Sequence, residues 1–179
     1  MSKEVLFNDA YEQYLECVSV IEKSAEESLK HGYLAMFDLF LQLHLLDIAF
    51  ADGEINESER DFIVKLVNNY NLLCKKIKGY RVFVNTCTYD EVQVMRKTED
   101  FQNATKVLHG ISAFLDKEQI AVLITKLEAI FKCFIEYDGN IKNQEQELAN
   151  EIISKIRLDH DIEFVASEEV PSRQGMDEL

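Results

Sequence analysis

The sequence contains no tryptophan, a single proline and only six glycines in 179 residues. A β-sandwich or barrel needs turn residues about every 8–12 positions, so this shortage of turn formers argues against an all-β fold. Hydrophobic residues make up 47% of the chain and aromatic residues 10%. That content is enough for a core and excludes a wholly disordered acidic chain. The composition therefore predicts an all-α fold.

Basic residues are also scarce, because 19 Lys and Arg stand against 33 Asp and Glu, for a net charge of -14. Proteins that bind nucleic-acid backbones or anionic membranes need an excess of Lys and Arg. The charge therefore argues against both of these functions. A cation or a basic protein is the expected partner.

The four cysteines are isolated, with no C-x-x-C pair: Cys17, Cys74, Cys87 and Cys133. This pattern is typical of reduced thiols and not of a disulfide framework or a zinc site. The first residues, MSKEVLFNDAYEQ, carry charges where a secretory leader needs an apolar run. We therefore expect a cytoplasmic location.

The longest apolar stretch, Tyr33–Ala51, is interrupted near its centre by Asp38 and Asp47. Each aspartate would cost about 2.5–3.5 kcal/mol in a membrane-spanning helix. The stretch therefore predicts a buried central helix with no direct membrane insertion. His44 and Asp47 lie three residues apart and could share a face, either as a buried hydrogen-bonded couple or as a metal pair. The couple is favoured because no third ligand is visible.

The hydrophobic periodicity predicts a bundle of about seven helices. An amphipathic helix is expected over Lys3–Lys30, the central helix over Tyr33–Ala51, and another helix over Asp100–Leu115. Three capping-box patterns predict further helix starts, namely Asn56 with Glu59, Thr88 with Glu91, and Asp116 with Gln119. A last helix carries Leu148, Ile152 and Ile156, and residues 74–88 are predicted to be a loop or an irregular helix.

The chain divides into three predicted parts. Residues 1–32 form the N-terminal helix, residues 33–158 form a helical domain, and residues 159–179 form an acidic tail. The tail has seven acidic residues, one arginine and the only proline, so disorder is predicted there.

One internal repeat stands out, because DGEINESE at residues 52–59 matches DGNIKNQE at residues 138–145 in the pattern D-G-x-I-x-x-x-E. As a structural turn, glycine supplies a left-handed residue, isoleucine an apolar contact, and glutamate a favourable charge in the next helix's first turn. A carboxylate at a helix C-terminus is mildly unfavourable, so Asp52 and Asp138 need a cation or a nearby donor. The sequence is consistent with a purely structural turn and with a cation-binding turn.

The pattern overlaps the second half of an EF-hand loop, with Gly53 and Glu59 at positions six and twelve. Positions one and three would be Ile48 and Phe50, so the early oxygen ligands are missing. Neither turn can therefore enclose calcium alone, and a shared site requires the two turns to meet.

The segments DIAFADGEINESERDFIVKL and AIFKCFIEYDGNIKNQEQELANEII resemble the tellurite-resistance TerB-like family, which is related to the N-terminal domain of a membrane-anchored DnaJ-like co-chaperone. The resemblance implies two pseudo-symmetric helical hairpins with acidic residues grouped into a proposed metal-binding surface, a link to stress and phage defence, and no established enzymatic activity. By motif match the candidate metal ligands are Asp52, Glu59, Asp138 and Glu145. Tyr137 departs from the small residue that the family has before its aspartate.

These observations give two functional hypotheses. The first is a non-enzymatic TerB-like protein that binds a divalent cation, Ca²⁺ or Mg²⁺, or a protein partner, since oxygen ligands favour these metals over zinc. The alternative is an acidic interaction protein, such as an immunity protein or nucleic-acid mimic, that masks a basic partner by charge. No nucleophile elbow, P-loop or dinucleotide fingerprint occurs, so no enzyme is predicted.

Overall fold

The computed structural model describes residues 3–24, 30–69, 84–137 and 139–162, and all regular secondary structure in these ranges is helical. In chain order the elements are α1 Lys3–Ser24, α2 Lys30–Ala49, α3 Glu57–Asn69, α4 Tyr89–Met95, α5 Glu99–Thr105, a 3-10 helix Val107–Ala113, α6 Lys117–Ile135 and α7 Asn143–Asp159. The predicted all-α bundle of about seven helices is confirmed.

Helices α3, α4 and α6 begin where the sequence predicts, because their capping boxes form. In each box the first side chain accepts from the backbone N–H three residues on, and the side chain at that later position accepts from the first residue's N–H. The three boxes are Asn56 with Glu59, Thr88 with Glu91, and Asp116 with Gln119.

The helix predicted over Asp100–Leu115 is instead two elements, α5 and the 3-10 helix. At the junction the Lys106 N–H donates to the Asn103 carbonyl three residues back, over 3.2 Å, so the helix tightens there. The 3-10 helix then places Leu108 and Ile111 in the core. Tertiary packing decides this change, because both side chains are apolar and become fully buried.

Helix α2 lies at the centre of the bundle, as predicted. Every residue from Phe40 to Phe50 is buried, and α2 contacts α1, α3, α5, α6, α7 and the 3-10 helix. Helix α1 packs along α6 and α2, and the Tyr14 hydroxyl donates to the Phe37 carbonyl over 3.2 Å. In the part of the chain that the structure describes, no helix is long and apolar enough to cross a membrane.

Several predictions concern residues outside the described ranges. Of the segment predicted as a loop or irregular helix, residues 84–86 are helical and residues 74–83 lie outside. Helix α7 ends at Asp159, and the predicted disordered tail lies outside the described residues from position 163 onwards. Asp138 of the second turn also lies outside them.

Candidate cation site at the joined turns

The two repeated turns share a backbone hydrogen-bonding pattern. The Gly53 N–H donates to the Phe50 carbonyl over 3.0 Å, and the Gly139 N–H donates to the Glu136 carbonyl over 3.2 Å. Both glycines have positive φ angles, 94° for Gly53 and 80° for Gly139. The predicted left-handed residue after each preceding helix is therefore present in both copies.

The apolar contact predicted for the isoleucine forms in only one copy. Ile55 is partly buried against the core, whereas Ile141 is 58% exposed, so the prediction is wrong for the second turn. There Tyr137 packs on Phe62 of α3, with 4.8 Å between ring centroids. In the second turn the larger side chain of Tyr137 therefore makes the contact to the neighbouring hairpin.

Asp52 is held by the turn that follows it. Its Oδ1 accepts from the Glu54 N–H over 3.1 Å. This is the local donor that offsets the unfavourable position of a carboxylate after a helix C-terminus. The other oxygen, Oδ2, is left to face the second turn.

Lys142 joins the two turns. Its Nζ lies 2.7 Å from Asp52 Oδ2 in the first turn and 3.4 Å from Glu145 Oε1 in its own turn. About a fifth of each of the Asp52 and Lys142 side chains is exposed. The two turns therefore meet, and carboxylates from both converge on one ammonium group.

Glu145 and one further carboxylate, Glu59, are buried beside the contact between Lys142 and Asp52. Glu59 is 4% exposed and Glu145 is 2% exposed, and each lies in the first turn of its helix, where the macrodipole favours a negative charge. Glu59 also completes the α3 capping box. Glu145 Oε1 has no aligned hydrogen-bond donor. We call Asp52, Glu59, Lys142 and Glu145 the two-turn cluster.

The charged groups of the two-turn cluster shift one another's pKa values. Burial and the charge of Glu59 raise the pKa of Glu145 to about 7, although Lys142 opposes the shift. Burial lowers the pKa of Lys142, but the hydrogen bond to Asp52 and the charges of the cluster carboxylates outweigh burial and raise that pKa. Burial also raises the pKa of Asp52, yet hydrogen bonds from Lys142 and the Glu54 N–H bring it below its ordinary value. These carboxylates therefore repel one another and need a cation.

Three of the four sequence-predicted ligands come together, namely Asp52, Glu59 and Glu145, while Asp138 lies outside the described residues. Sequence reasoning missed Lys142. The signal was present, because Lys142 aligns with Asn56 in the repeat and is the only basic residue in either eight-residue motif. Asn56 caps α3, whereas Lys142 makes no side-chain cap on α7 and reaches across to the other turn.

Among the described residues, no three or more His, Cys, Asp or Glu side chains are arranged so that they could hold a metal ion. Lys142 takes the charge-neutralising position between Asp52 and Glu145. As it stands, the two-turn cluster is a salt-bridged junction between two hairpins.

The predicted couple of His44 and Asp47 is wrong. Both residues are buried, but Asp47 Oδ1 accepts from the Arg96 guanidinium at the end of α4. His44 Nδ1 has no hydrogen-bond partner. Arginine carries five donors and a fixed charge, so it outcompetes a neutral imidazole for a buried carboxylate. Helix periodicity placed the two residues on one side of α2 but could not identify a partner from another element.

No family model, curated protein or solved structure matches this chain. The resemblance to the TerB-like family stays a prediction that rests on the two turn motifs.

Proposed function

We propose that the protein is a non-enzymatic cytoplasmic helical module that binds a divalent cation, Ca²⁺ before Mg²⁺, at the joined turns. The observation that carries the proposal is the position of Lys142 Nζ, which marks the point where carboxylates from both turns converge. The TerB-like resemblance adds a role in the response to stress or phage.

The carboxylates of the two-turn cluster are the type of ligand that a hard cation takes, and Lys142 must move away before they can close on one. Calcium takes about 6–8 oxygen ligands, often with carboxylates bound through both oxygens. Asp52, Glu59 and Glu145 supply carboxylate oxygens, and Asp138 belongs to the same predicted set. Glu145 Oε1 is buried and pairs with Lys142 Nζ at 3.4 Å without an aligned hydrogen bond, so a cation would supply a closer partner for this oxygen.

Lys142 competes with the cation in this proposal. A metal ion that draws in Asp52 and Glu145 displaces the ammonium group toward solvent. Binding therefore exchanges one internal positive charge for a divalent ion. This exchange makes the affinity moderate in the wild type and sensitive to the residue at position 142.

Isothermal titration calorimetry of the full chain with calcium tests the proposal. We expect one saturable site in the wild type, no heat for Asp52→Asn combined with Asp138→Asn, and about tenfold tighter binding for Lys142→Met, equivalent to about 1.4 kcal/mol. Glu54→Gln is the matched control, because it removes one charge from the first turn and keeps the backbone N–H that donates to Asp52. An absence of heat in both the wild type and Lys142→Met would overturn the proposal.

A second candidate function, binding of a basic partner, is supported by the surface of α4. Val94 is 66% exposed and Tyr89 is 43% exposed, and the exposed acids Asp90 and Glu91 lie on the same short helix. Asp90, Glu91, Val94 and Met95 line one groove. An exposed apolar patch with an acidic border is complementary to a segment that carries both apolar and basic side chains.

A synthetic Lys/Leu amphipathic peptide tests this candidate by fluorescence anisotropy at two salt concentrations. We expect salt-sensitive binding that Val94→Ser weakens and that Val122→Ser, at an exposed valine of α6, leaves unchanged. Loss of binding only on removal of residues 163–179 would place recognition in the tail and contradict a role for α4.

A further inference from the structure

A cavity of about 310 Å³ lies between α2, α5, the 3-10 helix and α7, apart from the joined turns. Its inner wall is apolar, with Phe40, Phe101 and Leu108 all buried. Small-molecule sites commonly begin at about 300 Å³ and combine apolar walls with a few polar groups. The volume suits a molecule the size of a single amino acid.

One polar group on the inner wall has no partner. His44 lines the cavity and is only 8% exposed, and its Nδ1 makes no hydrogen bond. The edge-to-face packing of His44 on Phe40, with 4.4 Å between centroids, holds the ring in place. Burial, together with the positive charges of Arg96 and Lys155, lowers the pKa of His44 to about 4, so the imidazole is neutral at pH 7. A neutral imidazole nitrogen pairs well with a hydroxyl group.

The mouth of the cavity carries charges of both signs. Lys106 and Lys155 line it together with Glu151 and Asp159, and all four are exposed. A simple carboxylate or a simple amine would meet both attraction and repulsion there. A zwitterion can place each of its charges against the opposite sign.

We propose that this cavity binds a zwitterionic amino acid with an aromatic body and a hydroxyl group. The aromatic ring lies against Phe40 and Phe101, the hydroxyl pairs with His44 Nδ1, and the ammonium and carboxylate face the charged mouth. The hydroxyl supplies the hydrogen bond that His44 lacks, and an unpaired buried polar group is costly. The pocket therefore distinguishes a hydroxylated ring from a plain one.

Nuclear magnetic resonance titration of the full chain with free L-tyrosine and L-phenylalanine tests the proposal. We expect saturable amide shifts confined to α2, α5 and α7, with L-tyrosine bound about tenfold more tightly than L-phenylalanine. Tyramine, which lacks the carboxylate, and 3-(4-hydroxyphenyl)propionate, which lacks the ammonium, should each bind more weakly than L-tyrosine.

Two variants assign the interactions. His44→Phe keeps an aromatic ring and removes the nitrogen, so L-tyrosine and L-phenylalanine should then bind equally. Ile152→Trp fills the cavity from α7 and should abolish binding, while Val122→Trp, on the exposed face of α6, should not. Each variant is first checked for a wild-type helical circular dichroism spectrum.

The proposal is overturned if no probe gives saturable shifts, if the shifts map away from the cavity, or if the wild type binds the two amino acids equally. Binding that survives Ile152→Trp also overturns it. A folded His44→Phe variant that still prefers L-tyrosine overturns the role assigned to the imidazole.

Discussion

Lys142 Nζ lies 2.7 Å from Asp52 Oδ2, and this contact ties the turn before α7 to the turn after α2. The same ammonium group is 3.4 Å from the buried Glu145. A single lysine thus compensates carboxylates that belong to two hairpins. It also defines where an added cation would compete.

Lys142→Met should destabilise the metal-free protein by about 1–3 kcal/mol, because buried Glu145 loses its neighbouring positive charge. Urea unfolding measures the loss. Lys132→Met, at an exposed lysine of α6, should change stability by less than about 0.5 kcal/mol. Equal losses of stability for the two substitutions would show that the charge of Lys142 does not stabilise the fold.

Glu145 should make the fold less stable as pH rises. Its pKa is about 7 in the folded state against an ordinary value of 4.5, so between these values the folded protein binds more protons than the unfolded chain. The stabilisation that comes from protonated Glu145 is fully present below pH 4.5 and is lost as pH rises through 7. It amounts to about 2–3 kcal/mol.

Urea unfolding between pH 4.5 and 8 measures this dependence. Glu145→Gln should flatten it, whereas Glu147→Gln, at an exposed position of α7, should leave it unchanged. Identical pH profiles for the wild type and Glu145→Gln would contradict the raised pKa.

His44 should make the fold less stable as pH falls. Its folded-state pKa is about 4 and its ordinary value is 6.5, so the unfolded chain binds the proton first and stability falls as pH drops from 6.5 to 4. The imidazole resonances of His44 should show no titration above about pH 5. His44→Phe should remove this acid sensitivity, and a His44 that titrates near pH 6.5 would disprove the lowered pKa.

Arg96→Met should leave the Asp47 carboxylate buried without its partner. Burial already raises the pKa of Asp47 against the opposing effect of Arg96. We expect a loss of about 2–3 kcal/mol, below the usual cost of breaking a fully buried pair because Arg96 is 30% exposed. The double variant Asp47→Asn with Arg96→Met should recover part of the loss in thermal unfolding. Additive losses would show that the two residues do not interact.

Gly53→Ala should destabilise the protein by about 1 kcal/mol, because its φ of 94° is strained for a residue with a side chain. Nothing lies within 4 Å of an added Cβ at Gly53 or at Gly110. Gly110 has no positive φ, so Gly110→Ala in the 3-10 helix is the matched control and should be neutral or slightly stabilising. Equal urea midpoints for the two variants would contradict a conformational role for Gly53.

Local sequence signals located most of the helices. The three capping boxes fixed the starts of α3, α4 and α6, because both hydrogen bonds of each box lie within four residues of chain. The helix predicted over Asp100–Leu115 was not one helix, because the core draws in Leu108 and Ile111 through a tighter 3-10 turn. The hydrophobic periodicity of the sequence does not predict a change from α-helix to 3-10 helix that tertiary packing causes.

The sequence by itself determined the all-α class, the buried central helix and the two glycine turns, since composition, periodicity and capping act over a few residues. Only the tertiary structure decided how those pieces pair. In the folded protein Lys142 pairs with Asp52 and Arg96 pairs with Asp47, whereas His44 Nδ1 has no hydrogen-bond partner. The physical reason is that charge and hydrogen-bond partners are chosen by proximity in space, and helices distant in sequence supply the competing donors.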